Sequence, residues 1–222
     1  MSRLSRLFEI GIINTIKLNF HYFSFRDAIR FPVLASKRLR IKKMDGAISL
    51  GTIKTGIVTL GFDSVGLFDA KKDRSILEIG KDAHLEFQGK ARLGNGFKII
   101  LIEQGHLTIG SGFILTANSS IVCCDHIMIG SNSLFSWDIL IMDTDFHRIY
   151  DMKKEILNNP RPIIIGENVW VGCRATILKG SNVPDGSIIA SGALVAGDLK
   201  EINGMYGGVP AKLLRSGVKW KL

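Results

Sequence analysis

Residues 141–151 read IMDTDFHRIYD. The imidazole of His147, with an ordinary pKa of about 6.5, can accept a proton near neutrality from a hydroxyl that attacks an electrophile. Asp143, Asp145 and His147 alternate, so on an extended chain they share one face. A carboxylate there would orient the ring, stabilise the imidazolium as it forms, or bind the hydroxyls of an acceptor. The plainer alternative is a solvated turn, and the elements on either side decide between them.

Those elements repeat every six residues. From Ile165 the chain divides into IGENVW, VGCRAT, ILKGSN, VPDGSI and IASGAL. Each hexad opens on an aliphatic residue (Ile165, Val171, Ile177, Val183, Ile189) and carries a small or β-branched one at its fifth place (Val169, Ala175, Ser181, Ser187, Ala193). Neither a 3.6-residue nor a two-residue period distributes apolar residues in this way. A period of six suits short strands joined by tight corners, three to a coil, stacked in parallel ladders about 4.8 Å apart. The pattern recurs less regularly in IGKDAH at 79, IGSGFI and LTANSS at 109–120 and IGSNSL at 129, with an eight-residue step from Ile121 to Ile129 that calls for a bulge or slipped corner. Residues 48–75 read as early coils in poor register.

Continuing the register through 141–165 would bury His147, Lys153 and Asn159. An unpaired lysine in the core is prohibitive, so residues 142–164 must leave the prism as a loop, and the NNPRP exit at 158–162 agrees. His147 therefore sits at the root of an excursion. His84 and His126 fall at the last place of their hexads, an outward corner, while His21 and His106 have no chemical context.

The chain carries a formal charge of +9, but residues 1–43 hold ten basic groups against two acidic ones, so the remainder is nearly neutral. This gives three regions: a basic, partly helical segment 1–44, a β-helix over 45–200, and an extension 201–222. In the first, Leu4, Leu7, Phe8 and Ile12 recur at three- and four-residue steps beside Arg3, Arg6 and Lys17. Such a helix either lies on an anionic membrane or caps the open first coil. Phe20, Tyr22, Phe23, Phe25 and Phe31 cluster with apolar residues and do not form a stacking platform for nucleic acid. The three cysteines (Cys123, Cys124, Cys173) form no C-x-x-C pair and point to a reducing, cytoplasmic compartment. Glu9, Asn14 and Lys17 interrupt the early apolar run, so no secretory leader is expected. No stretch of about 18 apolar residues is present to span a bilayer.

Taken in order, SWDILIMDTDFH, IGENVWVGCRATILKG and GGVPAKLLR resemble the hexapeptide-repeat acyltransferases, specifically the maltose, galactoside and surface-polysaccharide O-acetyltransferases. The resemblance covers roughly residues 76–216. It implies an all-β left-handed parallel β-helix, a homotrimer with active sites between subunits, and acetyl-coenzyme A as co-substrate with no metal. It further implies transfer of acetyl to a sugar hydroxyl in capsule, lipopolysaccharide or exopolysaccharide synthesis. By the same resemblance His147 is the general base, assisted by Asp145, and the backbone N–H of Cys173 is the oxyanion donor. Asn118, Asp143 and Trp170 would meet the saccharide acceptor. Gly172, Cys173, Ser191 and Ala196 would line the donor groove, and Lys212 and Arg215 would meet its phosphates unless they form the solvated face of a helix. If the acceptor is lipid-linked, segment 1–43 would place the enzyme at the inner membrane. The alternatives are an N-acetyltransferase acting on an amino sugar, a non-enzymatic β-helix scaffold, and a β-helix metalloenzyme. The last needs paired histidines that this chain lacks, and the D-x-D of a sugar-nucleotide transferase stands without its fold.

Overall fold

A computed structural model of the chain describes residues 8–69 and 72–221 and folds the hexads into a triangular prism. The openers Ile165, Val171, Ile177, Val183 and Ile189 and the fifth-place residues Val169, Ala175, Ser181, Ser187 and Ala193 are all buried. Three strands make a coil, and successive coils pair in parallel to give three faces.

The first face stacks β1 (Val33–Ala35), β4 (Val58–Phe62), β7 (Ala91–Gly94), β10 (Phe113–Ala117), β13 (Leu134–Trp137), β16 (Trp170–Val171), β19 (Ile188–Ile189) and β21 (Met205–Gly207). It ends on an antiparallel strand, β22 (Lys212–Arg215). The second face stacks β2 (Leu39–Met44), β5 (Ser75–Ile79), β8 (Lys98–Leu101), β11 (Ser120–Cys123), β14 (Leu140–Met142), β17 (Thr176–Leu178) and β20 (Leu194–Val195). The third stacks β3 (Ala47–Leu50), β6 (His84–Phe87), β9 (His106–Ile109), β12 (His126–Ile129), β15 (Ile163–Ile165) and β18 (Asn182–Val183). The prism thus starts near residue 33 and not at 45, because β1 and β2 already stand in two of the faces. The extension 201–222 likewise adds two strands, β21 and β22, to the first face.

Coil length explains where the hexads are clear. In the last coils partners are eighteen residues apart, as Val171 is from Ile189. Below them Ser120 pairs with Leu140 at twenty residues and with Lys98 at twenty-two. The wider coils are filled by the fully buried Phe87, Phe97, Phe113 and Phe135, and the narrow ones by Ile, Val and Ala. The eight-residue step at Ile121 is taken up at the corner of Cys124 and Asp125, while β11 and β12 keep register with both neighbours.

Helix α1 (Ile12–Tyr22) and the short α2 (Phe25–Ala28) close the first coil. Among the described residues no coil precedes strand β1; its open edge is met by the backbone of residues 9–11, where Gly11 N donates to Ala35 O at 2.8 Å and Ile10 bridges Ser36, and by side chains of α1. Asn19 Nδ2 donates to Val33 O at 2.7 Å, and Asn19 Oδ1 accepts from Val33 N at 3.1 Å. Thr15 Oγ1 accepts from Ala35 N at 3.1 Å and donates to Ala35 O at 3.3 Å. Buried backbone groups must be paired, and Thr15 and Asn19 do this while Leu18 fills the core beneath. Of the stripe read from the sequence, Leu4 and Leu7 lie outside the described residues, and Phe8 and Ile12 point away from the prism at 78% and 69% exposure. The capping face combines the hydrogen-bonding Thr15 and Asn19 with the buried Leu18, and Phe8 and Ile12 of the expected stripe take no part in it.

Candidate active site

Between β14 and β15, at the edge joining the second and third faces, the chain leaves the prism as the sequence requires. Asp143 fastens the root. Its side chain is 0% exposed, and its two oxygens accept from Cys124 N at 2.7 Å and Asp125 N at 2.8 Å. Burial pushes this carboxyl upward, opposed by the two amides. The stretch is not extended: Phe146 has φ 60 and His147 N donates to Asp145 O. The expected alternation fails, because Asp143 points inward while Asp145 and His147 are exposed. Asp143 is thus placed to hold the loop, where acceptor hydroxyls cannot reach it.

Asp145 also does not orient the ring. Its carboxylate accepts from Lys179 Nζ and from Asn158 Nδ2, the latter at 2.8 Å. The lysine, first of all, holds its pKa below the usual carboxylate range. Asn158 Nδ2 also donates to His147 O at 2.8 Å, Asn158 Oδ1 accepts from Ile149 N, and Lys179 Nζ donates to Asn158 O at 3.1 Å. Asp145 and Asn158, from the two halves of the loop, are therefore tied directly to one lysine on the prism, and His147 and Ile149 are tied to it through the Asn158 side chain. Lys179 and Asn158 were missed in the sequence, where each reads as an ordinary corner residue. Among the described residues no hydrogen bond holds the His147 imidazole. Beyond the clamp, residues 149–157 form a ribbon closed by a Tyr150–Ile156 bridge. The ribbon exposes Ile149, Tyr150, Met152 and Leu157.

The residues read as the donor groove lie mainly on the next edge, between the first and second faces. Gly172 cannot carry a Cβ, which would lie 2.7 Å from Ser191 N of the coil above. In the turn that follows, Arg174 N donates to Trp137 O and Ala175 N to Gly172 O, which leaves the Cys173 amide without an acceptor among the described residues. Cys173 Sγ stands 3.4 Å from Ser191 Oγ. Asn118 is on the same edge two coils below, roughly 10 Å away. Ala196 follows β20 at the far side of the second face. Cys173 and Lys179 are six residues apart, so donor edge and loop edge are separated by at most about 20 Å of extended chain.

No protein-family model matches the chain. It is 27% identical over 179 residues to a polysialic acid O-acetyltransferase of Neisseria meningitidis, spanning 78% of this chain and 69% of that one. To the galactoside O-acetyltransferase of Escherichia coli strain K12 it is 30% identical over 110 residues, half of this chain and 54% of the relative. The structure of the polySia-specific acetyltransferase NeuO matches with a TM-score of 0.57 at 21% identity, covering 85% of this chain and 74% of that one. The fold is the left-handed β-helix of the hexapeptide-repeat acetyltransferases.

Other expected residues find their places on that left-handed β-helix. Lys212 and Arg215 lie on a strand, not a helix. Lys212 pairs with Gly207 and Arg215 with Met205 across a register shift, which puts both cations on one side of the ribbon, exposed. Trp170 opens β16 on the first face; its Nε1 donates to Ser136 Oγ at 3.3 Å, and its ring centroid is 6.2 Å from that of Trp220. The topology does not bring Trp170 to the loop edge within one chain. His84, His106 and His126 open successive strands of the third face, with ring centroids 4.8 and 5.1 Å apart. His106, which has no context in the sequence, is the middle of this ladder. Burial first, then His84 and His126, lower its pKa, against Glu86. Burial raises the Cys123 thiol well above its ordinary value, as does the neighbouring Asp143. Among the described residues no three His, Cys, Asp or Glu side chains are grouped to hold a metal ion.

Proposed function

We propose that the protein transfers the acetyl group of acetyl-coenzyme A to a hydroxyl of a surface-polysaccharide saccharide, with His147 as general base. The observation that carries this reading is the clamp of Asp143, Asp145, Asn158 and Lys179, which fixes an exposed histidine beside coils whose corner leaves the Cys173 amide free. It is supported by the polysialic acid and galactoside O-acetyltransferases to which the chain is similar.

In the proposed reaction the saccharide oxygen attacks the thioester carbonyl carbon as His147 takes its proton. The negative charge that develops on the carbonyl oxygen is received by the Cys173 N–H. The C–S bond then breaks, the imidazolium returns the proton to the departing thiolate, and ester and free thiol leave. Asp143 and Asp145 act as positioning residues through the loop. Gly172, Ser191 and Ala196 border the pantetheine arm, Lys212 and Arg215 meet the phosphates, and Asn118 and Trp170 contact the acceptor.

The site is assembled in a homotrimer. Donor edge and histidine loop occupy different edges of one prism, and the loop carries exposed apolar residues, so the ribbon of one subunit reaches the donor edge of its neighbour. Light scattering should give a trimer mass at micromolar concentration.

The test is thiol release from acetyl-coenzyme A across a panel of glycans, sialic acid polymers included, with mass spectrometry of the product. An alkali-labile acetyl ester is expected. An alkali-stable amide would replace it with the N-acetyl reading, and an intact thioester with every glycan would overturn it.

A further inference from the structure

Helix α1 turns two chemistries in different directions. Successive helical residues are about 100° apart, so Thr15, Leu18 and Asn19 gather on the side facing the first coil, while Ile12, Ile13, Ile16 and Phe20 gather on another. The first set is buried and hydrogen-bonded to β1. The second is exposed, Ile13 by 81%, and Phe8 and Phe25 extend it at either end. The Phe20 ring meets those of Phe25 and Phe31, at centroid distances of 5.9 and 6.3 Å. Capping is done by Thr15, Leu18 and Asn19, so it does not account for this apolar face. Lys17, Arg26 and Arg30 border it, exposed and without an ion-pair partner among the described residues. The nearby acids are engaged: Glu9 with Arg38 and Lys37, and Asp27 with Ser24.

We infer that this face of α1, with Lys17, Arg26 and Arg30 at its border, seats the protein on an anionic lipid bilayer. An apolar face bordered by unpaired cations matches acyl chains beneath negative headgroups. A second copy of the chain fits worse, since a self-complementary contact would set these cations against themselves. Among the described residues no helix is long and apolar enough to cross a membrane, so the attachment is peripheral. The loop root at β14 is four ladder steps above β2, about 19 Å along the prism axis. The docking face therefore lies outside the proposed catalytic machinery, and the inference does not depend on which reaction occurs there.

The experiment is flotation of the full chain with vesicles of phosphatidylglycerol and phosphatidylcholine, or of phosphatidylcholine alone, at low and high salt. Binding to the anionic vesicles only, weakened by salt, is expected. Lys17→Gln, Arg26→Gln and Arg30→Gln together should weaken it on the order of 100-fold. Ile12→Ser with Ile13→Ser and Ile16→Ser should weaken it by roughly tenfold per side chain removed from the bilayer. Both variants should melt like the parent chain and acetylate a water-soluble acceptor at the parent rate. Equal flotation on neutral and anionic vesicles, or parental binding by either variant, would overturn the inference. So would a serine variant whose native mass changes in vesicle-free solution while vesicle binding persists, because the face would then be a protein interface.

Discussion

Replacing Asp143 separates two roles that one carboxylate can play. If it contacts the acceptor, its loss raises acceptor KM and leaves the fold alone. In the structure it is fully buried and accepts from Cys124 N and Asp125 N at 2.7 and 2.8 Å. Each such charge-assisted bond contributes about 1.5–3 kcal/mol, but Cys124 and Asp125 stand at a partly exposed corner where water can replace some of the loss. Asp143→Ala is then expected to cost about 2–4 kcal/mol, or about 4–15 °C in Tm for a chain of this size. Asp143→Asn retains one acceptor oxygen and turns an amide N–H2 toward a backbone N–H, so it should cost about half as much. The root also sets the path of the loop, and a displacement near 1 Å lowers kcat by roughly 10²-fold. Calorimetry at a fixed scan rate and steady-state kinetics with both substrates report the two effects. A variant with parental Tm and kcat and a raised acceptor KM would refute the anchoring role.

His147→Ala should lower kcat by about 10²–10⁴-fold with donor binding retained in calorimetry, and chelators should leave the parent enzyme unaffected; near-parental turnover, or loss on chelation with rescue by zinc, would contradict this. Lys212→Glu with Arg215→Glu should weaken acetyl-coenzyme A far more than an acetyl-pantetheine thioester, which lacks the phosphates, and equal losses would place these cations elsewhere. The histidine ladder predicts a pH dependence of stability. His106 titrates below its unfolded value of about 6.5, so as pH falls the unfolded chain binds the proton first. The contribution of His106 to stability is full above about pH 6.5 and declines below it. Tm measured from pH 7.5 to 5 should show that decline, and His106→Gln should flatten it.

The sequence displayed the β-helix where coils are three hexads long and the loop where the register would have buried Lys153. It concealed what depends on coils of other lengths. His84, His106 and His126 are twenty-two and twenty residues apart, not multiples of six, so their stacking had no periodic signal. Alternation of Asp143, Asp145 and His147 implied a shared face only for an extended chain, and the turn at Phe146 removed that premise. The clamp on Lys179 joins residues thirty-four apart, beyond any local pattern. On α1 the apolar residues were legible, but their direction was not, because the capping partners proved to be Thr15 and Asn19. Charge counting located the basic segment and missed that β1 and β2 within it belong to the prism.

A stack of parallel coils has no intrinsic length, since each finished coil presents the same unpaired backbone to whatever comes next. At β1 that edge is occupied by one amide and one hydroxyl side chain, Asn19 and Thr15, and by an antiparallel backbone contact of residues 9–11, in place of a parallel coil. At the other end of the first face, β22 runs antiparallel to β21 and reverses the polarity a further coil would need. On the first face the two ends are therefore stops against end-to-end polymerisation. Loss of α1 would turn the first coil into a template for another molecule's edge, so filament growth is the hazard that the polar face of this helix holds off.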